Sequence, residues 1–228
     1  MLRNIGRSLG TSPVWTSLVA TQSTAVGGGS ILNSKFPPLW NGVARSASGP
    51  VTQTPPADAS RAGTADLCDV HLPDPVDKVC ERKVQIVEPI FRDFGGAIRA
   101  HGQIATVKCF ENNPLVRKAL EEKGNGRVLV VDGGASLRCA LLGDNLAEMG
   151  YKNGWSGIIV YGCIRDSEDI GKMPILVKAL NTYPLKSAKR DVGLSNVEVS
   201  FGGATFKPGH WVHADKDGIL VAPEELKL

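Results

Sequence analysis

The chain predicts one α/β domain with mixed sheets, beginning near residue 58 behind a disordered leader. Three observations carry this reading. Between residues 84 and 180, short β-branched apolar runs alternate with amphipathic segments that carry helix start and stop signals. After Val197 strands follow one another with turns between them and no helix. The first 57 residues are rich in Ser, Thr, Gly and Pro, contain Gly27-Gly28-Gly29, and show no sustained periodicity.

Taken in order, Val84–Phe91 and Gln103–Phe110 read as strands, because Val, Ile, Thr and Phe fit a pleated surface. Asn113-Pro114 reads as an N-cap followed by Pro at the first helical position. Leu115, Val116, Ala119 and Leu120 then form one face, and Gly124 stops the helix. Arg127–Val131 is a buried strand that enters a tight turn at Asp132-Gly133-Gly134. Cys139–Met149 is expected to be helical and to end at Gly150. Ser156–Ile164 is a second buried strand, closed by Arg165-Asp166. A short helical turn and the apolar stretch Ile175–Leu180 follow. Val197–Phe206 and Trp211–Val221 are expected strands, separated by Pro208-Gly209, with a turn at Asp215–Gly218.

Composition narrows the function classes. The 228 residues are 42% hydrophobic and 21% charged, a globular balance. No apolar run approaches the ~18 residues of a membrane span, so no membrane role is expected. The net charge of +3 comes from the leader, where Arg3, Arg7, Lys35 and Arg45 have no acidic counterpart. From Asp58 onward 22 basic residues face 23 acidic ones, which argues against direct nucleic-acid binding. Five widely spaced cysteines without a CxxC pair suggest reduced thiols, neither a disulfide framework nor a zinc cage. Within the leader, Leu2, Ile5 and Leu9 share a helical face opposite Arg3 and Arg7, in an acid-free, Ser-rich setting. That pattern reads as an organelle transit peptide, mitochondrial first, with plastid or cytoplasmic location as alternatives, and Ser46–Pro56 as a linker.

Chemistry is expected at the end of the Ser156–Ile164 strand, where open α/β sheets place ligands. Arg165 offers a planar fork for a carboxylate, and Asp166 a hard oxygen ligand for Mg²⁺ or Mn²⁺. Taken alone, the pair reads first as a surface ion pair. Asp132-Gly133-Gly134 lacks the glycine pattern of a dinucleotide loop and reads as a turn. His210 and His213 stand at HxxH spacing in a strand, where alternation separates them. Cys163 reads as a packing residue, and Glu224-Glu225 as a solvated tail or a reach toward a neighbouring subunit's metal site.

Asp144, twenty intervening residues and then Arg165-Asp166 make a D-x20-R-D pattern. With Arg127–Gly134, Leu141–Ala147, Gly154–Ile158, Pro208-Gly209 and Ala214–Gly218 in the same order, the chain resembles the 4-hydroxy-4-methyl-2-oxoglutarate aldolase and regulator of ribonuclease activity A family. The resemblance covers roughly residues 64 to 226. It implies a layered β/β/α, swivelling-domain-like fold and a homotrimer. It also implies a class II, metal-dependent pyruvate aldolase in which Gly143, Asp144, Asn145 and Leu146 hold a 2-oxo acid, partly through backbone N–H groups. Arg165 would contact substrate and stabilise the enolate, Asp166 would bind Mg²⁺ or Mn²⁺, and Asp144 would orient a metal-bound water that serves as base. Cleavage of 4-hydroxy-4-methyl-2-oxoglutarate, or a related 4-hydroxy-2-oxo acid, would yield pyruvate and a keto acid, with oxaloacetate decarboxylation as a side activity. The alternative is a non-catalytic regulator that binds a ribonuclease. A methyltransferase, a name also attached to such sequences, is disfavoured by the absence of a cofactor-binding glycine fingerprint.

Overall fold

The structure, a computed structural model, describes residues 62–72 and 83–228, all within the compact unit Thr52–Leu228. The expected leader, transit peptide and linker lie outside the described residues.

Four parallel strands form the centre: β3 (Ala100–Lys108), β4 (Val128–Asp132), β6 (Gly157–Ile164) and β7 (Leu176–Thr182), side by side in that order. Each connection carries a helix: α2 (Pro114–Glu121), α3 (Asp144–Lys152) and the single turn α4 (Ser167–Ile170). All three pack on one face. Leu129, Val131, Ile158 and Val160 meet Val116, Leu120, Leu146, Ala147 and Ile170 there. The alternate residues Val128, Val130, Ile159 and Leu176 point the other way, into a second core. Strands buried on both faces explain the unbroken Val128–Val131 run.

The second core is closed by antiparallel strands. β11 (Trp211–Ala214) pairs with the first half of β3 and with β12 (Ile219–Ala222), around the expected Asp215–Gly218 turn. The hairpin β9 (Val199–Phe201) and β10 (Ala204–Phe206) lays Phe201 on Tyr161, the rings stacked nearly parallel with centroids 4.5 Å apart. Helices, parallel sheet and antiparallel strands make three layers, in accord with the β/β/α expectation. At the far edge β2 (Arg92–Asp93) joins β7, where buried Lys178 meets Asp93 at 2.7 Å. Among the described residues no helix is long and apolar enough to cross a membrane.

Several elements differ from expectation. The Val84–Phe91 strand contracts to β1 (Gln85–Ile86), because Pro89 supplies no N–H for a continued ladder. Val197–Phe206 folds as the β9–β10 hairpin instead of one strand, whereas Trp211–Val221 divides into β11 and β12 at the turn expected there. The expected Cys139–Met149 helix is divided: Ala140–Leu142 is β5, parallel to the last residues of β6. Helix α3 starts only after Gly143 and runs past Gly150. Gly150 does not break it, since a single glycine costs a helix only about 1 kcal/mol, and a Cβ there would come 3.0 Å from Leu120 and 3.3 Å from Ile158. Three elements were not foreseen: the short β2 on β7, the short β8 (Leu194–Ser195) on β3, and α1 (Thr64–His71). Helix α1 docks through Thr64, whose backbone N–H and hydroxyl both donate to the Asp215 carboxylate at 2.7 Å.

Candidate active site at the carboxyl end of the parallel strands

Strand β6 delivers Arg165 and Asp166 to the carboxyl edge of the sheet. The Arg165 N–H donates to Leu142 O at 2.9 Å, which levels the end of β5 with the end of β6. Asp166 then takes a left-handed conformation, φ 55° and ψ 37°, at the head of α4. Side chains that would alternate along a strand are thereby turned together, with Arg165 Nε 3.2 Å from Asp166 Oδ2 and both side chains about one-third exposed.

The loop from β5 to α3 meets this pair from the other side. A Cβ on Gly143 would stand 2.8 Å from Asp166 Oδ2 and 3.2 Å from Arg165 Nε, so any larger residue there would have to displace these side chains. Gly143 is extended and caps α3, and its carbonyl accepts from Leu146 and Ala147 N–H. Asp144 and Asn145 are the first two helical residues, whose N–H groups find no acceptor within a helix. Together with the helix dipole they make a place for an anion beside Arg165 and Asp166. Asp144 is half-buried, and its Oδ1 accepts from Asn145 Nδ2 at 2.9 Å. Leu146 differs from the others: its side chain is in the core and its N–H is spent on Gly143 O, so it positions the loop without facing a ligand. The structure thus brings Gly143, Arg165 and Asp166 into contact, with Asp144 and Asn145 next in the chain.

Sequence reasoning missed the segment that walls the site. After β7 the chain crosses over the end of β6, where Tyr183 N–H donates to Ile164 O at 2.8 Å. It then runs beside β5, Leu185 O accepting from Ala140 N–H and Ser187 N–H donating to Ala140 O. Pro184, in an exposed stretch after an apolar strand, was the only signal available.

The remaining candidates resolve into structural roles. In the Asp132-Gly133-Gly134 turn Asp132 Oδ1 accepts from Gly134 N–H, and Gly134 and Ala135 both have positive φ. The turn is clamped from outside by Glu111, which accepts from Ser136 Oγ and Arg138 Nε at 2.7 Å. These bonds, the serine's first and then the arginine's, hold the Glu111 carboxyl below its ordinary value. Cys109, Cys139 and Cys163 are free thiols. Burial pushes Cys163 and Cys139 up, and burial with the Asp132 charge pushes Cys109 up to about 12, so none is poised as a nucleophile. His213 sits across from His101 in the sheet, and its Nε2 accepts from Leu226 N–H. No cluster of three or more His, Cys, Asp or Glu side chains suited to a metal occurs among the described residues.

Comparison with known proteins identifies the family. The family model described as RraA-like, Aldolase/RraA, matches residues 64–221. The chain is 54% identical over 163 residues to a protein of Alkalilimnicola ehrlichii named "Putative 4-hydroxy-4-methyl-2-oxoglutarate aldolase", covering 72% of this chain and 96% of that one. A Pseudomonas aeruginosa protein of the same name is 52% identical over 165 residues, with the same coverage. Among solved structures, the RNA-processing inhibitor RraA of Thermus thermophilis is 43% identical, with a TM-score of 0.65 over 72% of this chain and 94% of that one. A Geobacillus kaustophilus structure described as an S-adenosylmethionine: 2-dimethylmenaquinone methyltransferase is 47% identical, with a TM-score of 0.67 over 72% and 97%. With a family model spanning most of the folded residues and relatives above 50% identity, the chain belongs to the RraA-like, aldolase/RraA family.

Proposed function

We propose that this protein is a divalent-metal-dependent lyase that cleaves 4-hydroxy-4-methyl-2-oxoglutarate, or a related 4-hydroxy-2-oxo acid, to pyruvate and a second keto acid. The observation that carries the proposal is the joint placement of the Arg165 guanidinium and the Asp166 carboxylate against the glycine that opens α3.

The donor set suits a hard cation. Asp166 and Asp144 offer carboxylate oxygens in a half-open setting, and Mg²⁺ or Mn²⁺ commonly takes one or two carboxylates and fills its other positions with water. When bound, the ion supplies Lewis-acid stabilisation of negative charge on the C2 oxygen. The residues do the rest. The Asp144 and Asn145 N–H groups receive the C1 carboxylate of the substrate. The Arg165 guanidinium donates to the C2 oxygen, where charge grows as the C3–C4 bonding pair moves into the enolate. The C4 hydroxyl gives up its proton as the C4 carbonyl forms. Asp144 Oδ2, the oxygen that Asn145 leaves free, takes that proton through water. The enolate is then protonated at C3 and leaves as pyruvate. Loss of CO₂ from oxaloacetate generates the same enolate, so decarboxylation belongs to the proposal, as does a homotrimeric assembly.

The likeness to a protein named as an RNA-processing inhibitor favours a second reading, a regulator that binds a ribonuclease without catalysis. One experiment separates the two: pyruvate release from 4-hydroxy-4-methyl-2-oxoglutarate and from oxaloacetate, with and without Mg²⁺ or Mn²⁺, for the wild type, Arg165→Ala and Asp166→Ala. Metal-dependent turnover lost in both variants supports the lyase. Turnover no higher than the metal-only blank sinks it and leaves the regulator.

A further inference from the structure

We infer that Asn113 is a positioning residue for the substrate loop: its amide holds a β-bulge in β5 and thereby sets where Gly143 meets Arg165 and Asp166. The inference rests on the lyase reading above and adds a residue to its site.

The Asn113 side chain is diverted from the role its place in the sequence suggests. It precedes Pro114 at the start of α2, where an Asn ordinarily caps a helix by accepting from its first N–H groups. No such bond forms. Instead Asn113 Nδ2 donates at 3.0 Å to Leu141 O, 28 positions further along the chain.

Leu141 is the extra residue of a bulge. Ala140 pairs with Cys163 and Leu142 with Ile164, so two steps along β5 match a single step along β6. A bulge leaves its extra residue outside the ladder and re-aims the chain that follows, here the loop that carries Gly143, Asp144 and Asn145. The carbonyls on either side are held by backbone: Ala140 O accepts from Ser187 N–H at 3.1 Å and Leu142 O from Arg165 N–H at 2.9 Å. Leu141 O, between them, depends on a side chain, and Leu141 is 2% exposed, so water is a poor substitute. The leucine side chain is fixed as well. It fills the space that a Cβ on Gly133 would need, and it would stand 3.3 Å from a Cβ on Gly162. With the side chain wedged and the carbonyl tied, the bulge has one setting.

That setting is felt two residues later, where a Cβ on Gly143 would come 2.8 Å from Asp166 Oδ2. Asp166 is anchored separately, at the end of β6 and the head of α4. A relaxed bulge therefore moves the Asp144 and Asn145 N–H groups relative to Arg165 and Asp166, and a misplacement of about 1 Å costs on the order of 10²-fold in rate.

The test rests on Asn113→Asp. Aspartate has the same shape and caps a helix as well as asparagine does, but when ionised it has no donor for Leu141 O. Full-length wild type and variant are compared at pH 8 in pyruvate release from 4-hydroxy-4-methyl-2-oxoglutarate. Calorimetry then follows the binding of Mn²⁺ alone and, in its presence, of oxalate, a planar mimic of the pyruvate enolate. The variant is expected to lose about 10- to 100-fold in kcat and to bind oxalate about 10-fold more weakly, with its Mn²⁺ affinity kept. Asn113→Ser, another good cap without the reach to Leu141 O, repeats the test should the carboxylate upset folding. Wild-type kcat and oxalate affinity in the variant overturn the inference while the lyase reading stands. So does a loss of Mn²⁺ affinity in step with oxalate affinity, or failure of both variants to fold, since either marks a general structural role. A wild type that releases no pyruvate overturns the lyase reading, and this inference with it.

Discussion

Gly143 and Asp166 are separated by 23 positions in sequence, yet a Cβ on Gly143 would lie 2.8 Å from the Asp166 carboxylate. The head of α3 and the end of β6 are therefore close enough that a single methyl at Gly143 would crowd the Asp166 carboxylate.

Gly143→Ala is expected to fold, because φ −130° and ψ near 180° suit any residue. Its methyl must displace the Asp166 carboxylate and the Arg165 side chain. A displacement of this kind costs about 10²-fold in kcat, with a thermal midpoint close to wild type. Wild-type kcat in this variant would remove the contact from the mechanism.

Treatment with a chelator is expected to abolish pyruvate release, and Mg²⁺ or Mn²⁺ to restore it. Asp166→Asn should weaken the ion's apparent affinity, whereas Arg165→Lys should lower kcat by about 10²- to 10³-fold with that affinity largely kept. Titration of activity against metal concentration separates the two effects.

Asp215 carries a pH-dependent part of the stability. Burial pushes its carboxyl up, but bonds from the Thr64 hydroxyl, Thr64 N–H, Asp217 N–H and Gly218 N–H together hold it below its ordinary value. The folded-state value is thus lower than the unfolded one. Its contribution is complete above the unfolded value near 3.9 and is lost as pH falls through the folded value. Urea unfolding of wild type should lose stability below about pH 4 more steeply than Asp215→Asn does. At pH 7, Asp215→Ala strands the Thr64 N–H and is expected to cost about 1–3 kcal/mol.

Cys109, Cys139 and Cys163 are expected to resist a thiol reagent at pH 8 in the folded protein and to react on unfolding, since burial raises all three. Cys163→Ala should retain kcat within about twofold, at a cost of about 1 kcal/mol for the lost packing. A hundredfold loss would give Cys163 a chemical role.

Asp93→Ala leaves the Lys178 ammonium, 3% exposed, without its partner. The cost should fall below the ~3–5 kcal/mol of a fully buried pair, because Asp93 is itself 43% exposed. Lys178→Met in the same background should recover most of it, and chemical denaturation of the two variants is the check.

Much of this was legible in the chain. The strands β4 and β6, helix α2 with its Pro114 start, and the Asp215–Gly218 turn rest on local signals: apolar runs, a cap and turn chemistry. The pattern of Asp144, Arg165 and Asp166 was equally visible, because it depends only on spacing in sequence. Elements whose form depends on a distant partner were not. Cys139–Leu142 is too short for periodicity to tell strand from helix, and it becomes β5 only because β6 offers a parallel edge beyond the end of β4. The hairpins of the second core and the 183–188 crossover are likewise set by long-range pairing.

The sequence by itself determined an α/β domain with its candidate site residues at the end of a buried strand, since hydrophobic periodicity and residue chemistry are local properties. Only the tertiary structure decided that Asp166 turns left-handed beside Arg165, that Gly143 lies close against both side chains, and that the 183–188 crossover is fastened along the same edge. Those outcomes follow from backbone hydrogen bonds and close packing between segments far apart in the chain, which no local pattern encodes.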